Sequence, residues 1–275
     1  MQPLVITAAI CGAEVFRDQS PYVPYSPAEL ADEAVRCFEA GASMVHLHVR
    51  EPDGTPSQRA DLFADAMGDI RARCPMIVQF STGGAVGMGV DERADAVRLR
   101  PDMATLSTGS VNFGDDVFSN PLPLVRQIAR RVRQFGVVPE IECFDSGMVD
   151  TALRLARDGE IALPAHFDFV LGMAGGMGGS ERHLDFMRSL LPEGSSWSVA
   201  GIGRCELPLA RHAIAIGGHV RVGLEDNLYL SKGVLAKGSF ELVAAVAHMA
   251  RDFGRPLATS DQAREILRLP PRSLA

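Results

Sequence analysis

The sequence predicts an α/β protein of the TIM (β/α)8 barrel class, with a short C-terminal extension, and three observations carry that reading. Short apolar runs rich in branched residues alternate eight times with longer amphipathic segments. Eight such units fill a chain of 275 residues, whereas a (β/α)8 barrel takes about 250 and an open doubly wound sheet usually has about five or six strands. Polar residues also recur on one parity of the predicted strands, as they do where side chains line the inside of a barrel.

The strands are read at 3–9, 44–49, 77–82, 103–108, 139–145, 167–173, 196–202 and 219–225. The intervening helices are read at 27–40, 58–73, 91–99, 121–135, 147–157, 181–190, 206–216 and 239–252. The first helix has a start signal, Ser26-Pro27 followed by Glu29, which is a cap residue with Pro in the first turn. The tail, 254–275, reads as an appendage with one short helix, DQAREILRL, between Pro256 and Pro270. Nothing along the chain reads as a linker or a low-complexity segment, so 1–275 is expected to be one domain.

Composition narrows the function classes. The formal net charge is −7, hydrophobic residues make up 47% of the chain, and no long Lys/Arg block occurs, which argues against nucleic acid and anionic membranes as partners. The densest basic run, 127–134, belongs with Arg126, Arg130 and Arg133 at helical spacing and reads as a solvated helix face. Five cysteines without a CxxC motif disfavour a disulfide framework and fit a reducing compartment. No basic n-region opens the chain, and no apolar run approaches the ~20 residues needed to span a bilayer. A cytoplasmic protein is the expectation.

The stretch MVHLHVR, 44–50, carries the chemistry. Residues i and i+2 of a strand share a face, so His46 and His48 point one way while Val45, Leu47 and Val49 point the other. The same parity sends Gln79 and Ser81 inward, then Thr105 and Ser107, then Glu140 and Glu142, and finally Arg221, Gly223 and Glu225. Buried polar groups need partners. Satisfied core histidines at 46 and 48 are one answer; a divalent metal held by His46, His48 and Glu225 is the other, because two imidazoles and a carboxylate with an open position form a catalytic ligand set. The remaining histidines, His166, His183, His212, His219 and His248, have no same-face partner at ligand spacing and read as surface or core residues.

MVHLHVRE followed by PDG, then QFSTGG, PEIECFDSGM and VRVGLEDN, resembles the β-keto acid cleavage enzymes. The likeness runs over nearly the whole chain, including CGAEV and PYVPYSP near its start. It implies a TIM barrel with a divalent metal, usually Zn2+, although Ni2+, Co2+ or Mn2+ suits the same ligands. It also implies a homo-oligomer, typically a tetramer, and a reaction in which a 3-keto acid and acetyl-CoA give acetoacetate and a new acyl-CoA.

Matched motif by motif, the family's metal ligands fall on His46, His48 and Glu225, and its catalytic Arg and Asp on Arg221 and Asp226. Its substrate-carboxylate contacts fall on Ser81 and the amides of Gly83 and Gly84, with Thr105 alongside. Glu142, counted with the catalytic group, and Glu14, counted with the substrate contacts, match its acidic pocket positions. Asp226, beside Arg221, is the candidate base. Glu14 suits a substrate ammonium, or equally a structural pairing with Arg50.

Two other barrel enzymes use similar parts. A metal-dependent hydrolase of the amidohydrolase type places HxH on its first strand, and lyases of the HMG-CoA type place it late. Here it lies on the second. A binding protein that only held a metal would need neither Arg221, Asp226 nor Ser81. The Gly-rich run LGMAGGMGGS, 171–180, matches no nucleotide-binding fingerprint and reads as a mobile loop at the mouth, near the CoA.

Overall fold

The structure is a computed structural model that describes residues 1–271. Eight parallel strands close into a barrel: β1 (Ile6–Ala9), β2 (Met44–Leu47), β3 (Ile77–Phe80), β4 (Met103–Ser107), β5 (Val138–Cys143), β6 (His166–Leu171), β7 (Ser196–Gly201) and β8 (His219–Val222). Each pairs with its sequence neighbours, and β8 returns to β1 through Ile6 opposite Val220. The outer ring comprises α1 (Pro27–Ala40), α2 (Ala60–Arg73), the single turn α3 (Val90–Arg93), α4 (Leu122–Gln134), α5 (Ser146–Arg157), α6 (Glu181–Ser189), α7 (Glu206–Ile216) and α8 (Ser239–Asp252), after which comes α9 (Ser260–Ile266). No helix of the described residues is long and apolar enough to cross a membrane.

Local sequence accounts for the element boundaries. The first helix begins in a full capping box, with Ser26 Oγ accepting from Glu29 N–H and the Glu29 carboxylate accepting from Ser26 N–H. The fourth buries Val125, Ile128, Ala129 and Val132. Its outer face carries the arginines, of which Arg126 pairs with Asp158 and Glu160. Outward strand residues such as Val45, Leu47, Val78, Phe80, Leu106, Ile141, Val220 and Val222 pack with the helices in one buried cluster, so the predicted parity holds there.

Four features differ from the sequence reading. Segment 91–99 is not one helix but α3 followed by a 3-10 turn, Asp95–Leu99. The second strand stops at Leu47, and the chain resumes as a hairpin of Val49–Arg50 with Pro56–Ser57. The last strand stops at Val222, because Gly223 turns the chain with φ 154° so close to β1 that an added Cβ would meet the Ala9 carbonyl oxygen at 2.0 Å. Glu225 is therefore delivered by a turn, its N–H donating to Ala9 O at 3.2 Å.

The fourth difference is the tail. It does not hang off the barrel but closes its floor: Ala258, Ala263, Leu267 and Leu269 pack on the inward residues Val5, Met44, Ile77 and Met103. Leu4 and Leu257 bridge in parallel to dock it. Residues 272–275 of the predicted extension lie outside the described residues.

At the opposite, C-terminal end, three two-stranded ribbons rim the mouth. They follow β2 (49–57), β4 (Val111–Phe113 with Asp116–Phe118) and β8 (Tyr229–Ser231 with Val234–Leu235).

Candidate active site

His46 and Gln79 sit side by side on β2 and β3. The ring Nδ1 of His46 is 2.6 Å from Gln79 Oε1, an oxygen that can only accept, so Nδ1 carries the proton and Nε2 faces inward. Nε2 is buried without a hydrogen-bond partner, as is Glu225 Oε2. The Nε2 atoms of His46 and His48 each lie 3.5 Å from Glu225 Oε1. One ligand atom from each of the three residues falls within 4.8 Å of the others. Two unpartnered buried atoms, His46 Nε2 and Glu225 Oε2, thus lie beside the His48 ring, in a set of the types that could hold Zn2+.

Gly12 makes room for this convergence. A Cβ there would meet Glu225 Cγ at 2.7 Å, and its φ of +71° belongs to the left-handed region. Burial disfavours the His46 cation, but the adjacent Glu225 carboxylate outweighs it and leaves the ring's pKa above its ordinary value. For Glu225 burial acts in the opposite sense, yet Arg221 and the two imidazoles hold the carboxyl well below the usual range.

Arg221 is the hub. Its Nε and Nη2 donate to the two carboxylate oxygens of Asp226 at 2.9 and 3.1 Å, a bidentate pair. Its Nη1 donates to Glu142 Oε1 at 3.1 Å and lies 3.7 Å from Asp168 Oδ2, and its Nη2 also donates to Glu225 Oε1. One guanidinium thus faces four carboxylates, an excess of negative charge that suits a divalent cation beside it. Burial pushes Asp226 up to about 7 against the pull of Arg221, the range for a group that takes and returns protons near neutrality.

A cavity of about 330 Å3 opens onto these groups. Its walls include His48, Ser81, Gly83, Gly84, Glu142, Arg221, Glu225 and Asp226, with Glu14 at its edge. Ser81 Oγ accepts from Gly83 N–H at 3.1 Å, so the hydroxyl proton is free to point at a ligand while the Gly83 amide is already engaged. Thr105 does not line the cavity. Its hydroxyl accepts from Thr82 N–H at 3.0 Å and its carbonyl accepts from Thr82 Oγ1 at 2.8 Å, so it stands behind the Ser81–Gly84 turn and shapes that turn from beneath.

Glu14 makes no ion pair among the described residues. Arg50 is instead buried in the loop around it, donating to the carbonyls of Gly12, Val15 and Gly54 at 2.7–2.8 Å. The pairing of Glu14 with Arg50 that the sequence left open is not formed, and the Glu14 carboxylate stays exposed at the cavity edge. The Gly-rich run 171–180 packs against its neighbours: Gly175 sits on the Asn112 carbonyl and Gly179 on Cys205, and Met173 reaches the cavity wall.

Sequence reasoning missed the residues that hold the site in place. Arg93 is buried and donates to Thr82 O, Ser119 O and Asn120 Oδ1. Glu206 accepts from Gly223 N–H and Asn227 Nδ2, pinning the turn that carries Glu225 and Asp226. Phe113, Phe118 and Phe144 form an apolar wall. Charged side chains read as solvated by default, and nothing local marks Arg50 or Arg93 as buried.

Fold and site together describe a (β/α)8 barrel whose mouth brings His46, His48 and Glu225, residues that could hold a metal ion, beside a buried Arg–Asp pair. The chain matches the family model of the beta-keto acid cleavage enzymes over residues 3–269 and belongs to that family. It is 51% identical over 271 residues to a 3-keto-5-aminohexanoate cleavage enzyme of Fusobacterium nucleatum, covering 98% of this chain and 99% of the relative. It is 43% identical to a 3-oxoadipate:acetyl-CoA acetyltransferase of Cupriavidus necator, covering 98% and 96%. Among solved structures, ObcA in binary complex with oxaloacetate shares the fold with a TM-score of 0.77 at 23% identity, covering 91% of this chain and 68% of ObcA.

Proposed function

We propose that the protein cleaves a 3-keto acid with acetyl-CoA as co-substrate, giving acetoacetate and a new acyl-CoA. The observation that carries this reading is the convergence of His46 with His48 and Glu225, the latter two lining a cavity that the Arg221–Asp226 pair also lines. Zn2+ is the ion proposed there. A divalent ion on those ligands supplies Lewis-acid polarisation of a keto oxygen.

The chain's own groups supply the rest. Ser81 donates its hydroxyl proton to the substrate carboxylate, and Gly84 adds an amide beside it. Asp226, held bidentately by Arg221, takes the proton from C2. The resulting C2 carbanion bonds to the thioester carbonyl of acetyl-CoA, the CoA thiolate leaves that carbon and adds to C3, and the C2–C3 bond then breaks, its electron pair returning to C2 as the new acyl-CoA departs. Asp226 returns the proton, so atoms and charge balance. Glu142 fixes the third face of Arg221 through its bond to Nη1. Glu14, exposed at the cavity edge without a cationic partner, fits a substrate bearing an ammonium at its far end. This is in keeping with the aminohexanoate named for one relative, whereas the oxoadipate named for another is anionic.

The same reading includes a homotetramer and a cytoplasmic setting. It rests on the family resemblance, with five cysteines and no CxxC motif in keeping with a reducing compartment.

The test is mass spectrometry of products from the Zn2+-loaded protein with acetyl-CoA and a panel of cationic, neutral and anionic 3-keto acids. Acetoacetate with the matching acyl-CoA is expected only when acetyl-CoA is present, and not from His46→Ala, which also loses bound metal. Turnover without acetyl-CoA would favour a hydrolase or simple lyase. Glu14→Gln is expected to lower kcat/KM about 10-fold or more for the cationic substrate and little for the neutral one. Equal losses would remove Glu14 from that role.

A further inference from the structure

Lysine is scarce in this chain, and its distribution is uneven. The only two lysines, Lys232 in the turn of the ribbon that follows β8 and Lys237 two residues past its end, lie a few residues beyond Glu225 and Asp226. Both are exposed, and neither side chain forms an ion pair among the described residues. The Lys237 backbone N–H is held by Glu241, which fixes the base of the ribbon and leaves the ammonium free. Tyr229, at the start of the ribbon, is 47% exposed.

The neighbouring loop adds a third cation. Arg204, in the 3-10 turn after β7, is exposed and has no ion pair among the described residues. It stands two residues beyond Ile202, which lines the cavity. Both segments are tied to one knot: Gly203 N–H donates to Asp226 O at 2.7 Å, Glu206 accepts from Asn227 Nδ2, and the Asn227 side chain grips the backbone of Tyr229 at 2.7 and 3.0 Å. The bases of Arg204 and of the lysine ribbon are thus fixed relative to Asp226.

The opposite rim carries the other sign. In the strand order, β4 lies diametrically across from β8, and the ribbon after β4 presents exposed Asp115 and Asp116 at its tip. The loops after β8 and β4 thus carry opposite charges on opposite sides of the mouth, in a protein whose net charge is −7. A polyanion approaching the cavity is steered to the β7–β8 side.

We propose that Arg204, Lys232 and Lys237 bind the phosphates of the nucleotide end of acetyl-CoA, with Tyr229 stacking on its adenine. The pantetheine arm then enters over Ile202, along the apolar wall that includes Val170 and Met173. This assignment rests on the function proposed above for the co-substrate.

The experiment compares the wild type with Lys232→Glu/Lys237→Glu and with Arg204→Ala, each checked for an unchanged Tm, using acetyl-CoA and acetyl-pantetheine, the thioester without the nucleotide. The wild-type preference for acetyl-CoA in kcat/KM is expected to collapse at least tenfold in the double variant, while KM for the 3-keto acid stays put. Calorimetric titration with CoA alone, without keto acid, is read independently. Tenfold weaker binding in the variants, with a smaller salt dependence than the wild type, supports the surface. Equal CoA affinity overturns it, whatever the product assay gives. Absence of acetoacetate from every substrate with a normal CoA titration would instead overturn the proposed reaction.

Discussion

Met44 and His46 are two residues apart on one strand and both point into the barrel, yet they sit in opposite chemistry. Met44 belongs to the floor, where Val5, Ile77 and Met103 meet the apolar face of the C-terminal segment. His46 belongs to the mouth, where its buried ring nitrogen and a Glu225 oxygen lack hydrogen-bond partners beside an arginine that faces four carboxylates. The pairs Ile77 and Gln79, and Met103 and Thr105, repeat the change from apolar to polar on β3 and β4. One step of two residues separates packing from chemistry. The barrel can hold so many unsatisfied polar groups at one end because the other end is sealed like any protein core.

That contrast can be broken at the mouth first. Asp226→Asn keeps the shape but removes the proposed base, and kcat is expected to fall about 10²- to 10⁴-fold with bound metal and Tm little changed. If the variant instead loses its metal, Asp226 serves the ligand cluster rather than the proton transfer.

At the floor the effects should invert. Leu267→Ala removes a buried side chain that packs on the inward layer and is expected to cost about 2–5 kcal/mol of stability. KM and kcat should stay near wild type below the unfolding transition. A matched fall in kcat, at a temperature where the variant is fully folded, would show that floor and mouth are mechanically coupled.

The smallest expected effect lies between the two layers. His166, buried on β6 against Ser196 and Ser198, has its imidazole pushed down to about 3 by burial, against about 6.5 in an unfolded chain. Below about pH 6.5 the unfolded state takes up a proton that the folded state refuses until about pH 3. The stability present above pH 6.5 is therefore lost progressively as pH falls across that window. Asp226, raised to about 7, and Glu140, raised to about 8, act in the opposite sense, so the His166 share is read as a difference: in thermal melts from pH 7 to 4 the wild type should lose stability relative to His166→Gln. Equal slopes would remove His166 from this role.

Much of this molecule is legible in one sequence because its periodicities are strong. Eight alternations set the barrel, and period-two parity selected His46, His48, Glu142 and Arg221 before any distance was known. Parity also aimed Glu225 inward, although the strand ends at Val222 and the residue arrives on a turn. There the sequence carried the residue and Gly223, but the route depended on how closely the backbone passes Ala9.

What only the tertiary structure decided are the contacts between residues far apart in the chain. The tail reads as an appendage because its short helix has no local partner, and only barrel closure creates the hole that Leu267 and Leu269 fill. Thr105 reads as a pocket residue by parity, and only the path of Thr82 shows its hydroxyl already engaged. Arg50 and Arg93 look like surface charges until the loops fold over them and supply the carbonyls that make their burial tolerable. Periodicity is a local property and survives in the sequence. Hydrogen-bond partnership between distant segments is set by closure of the barrel, and no window of the chain records it.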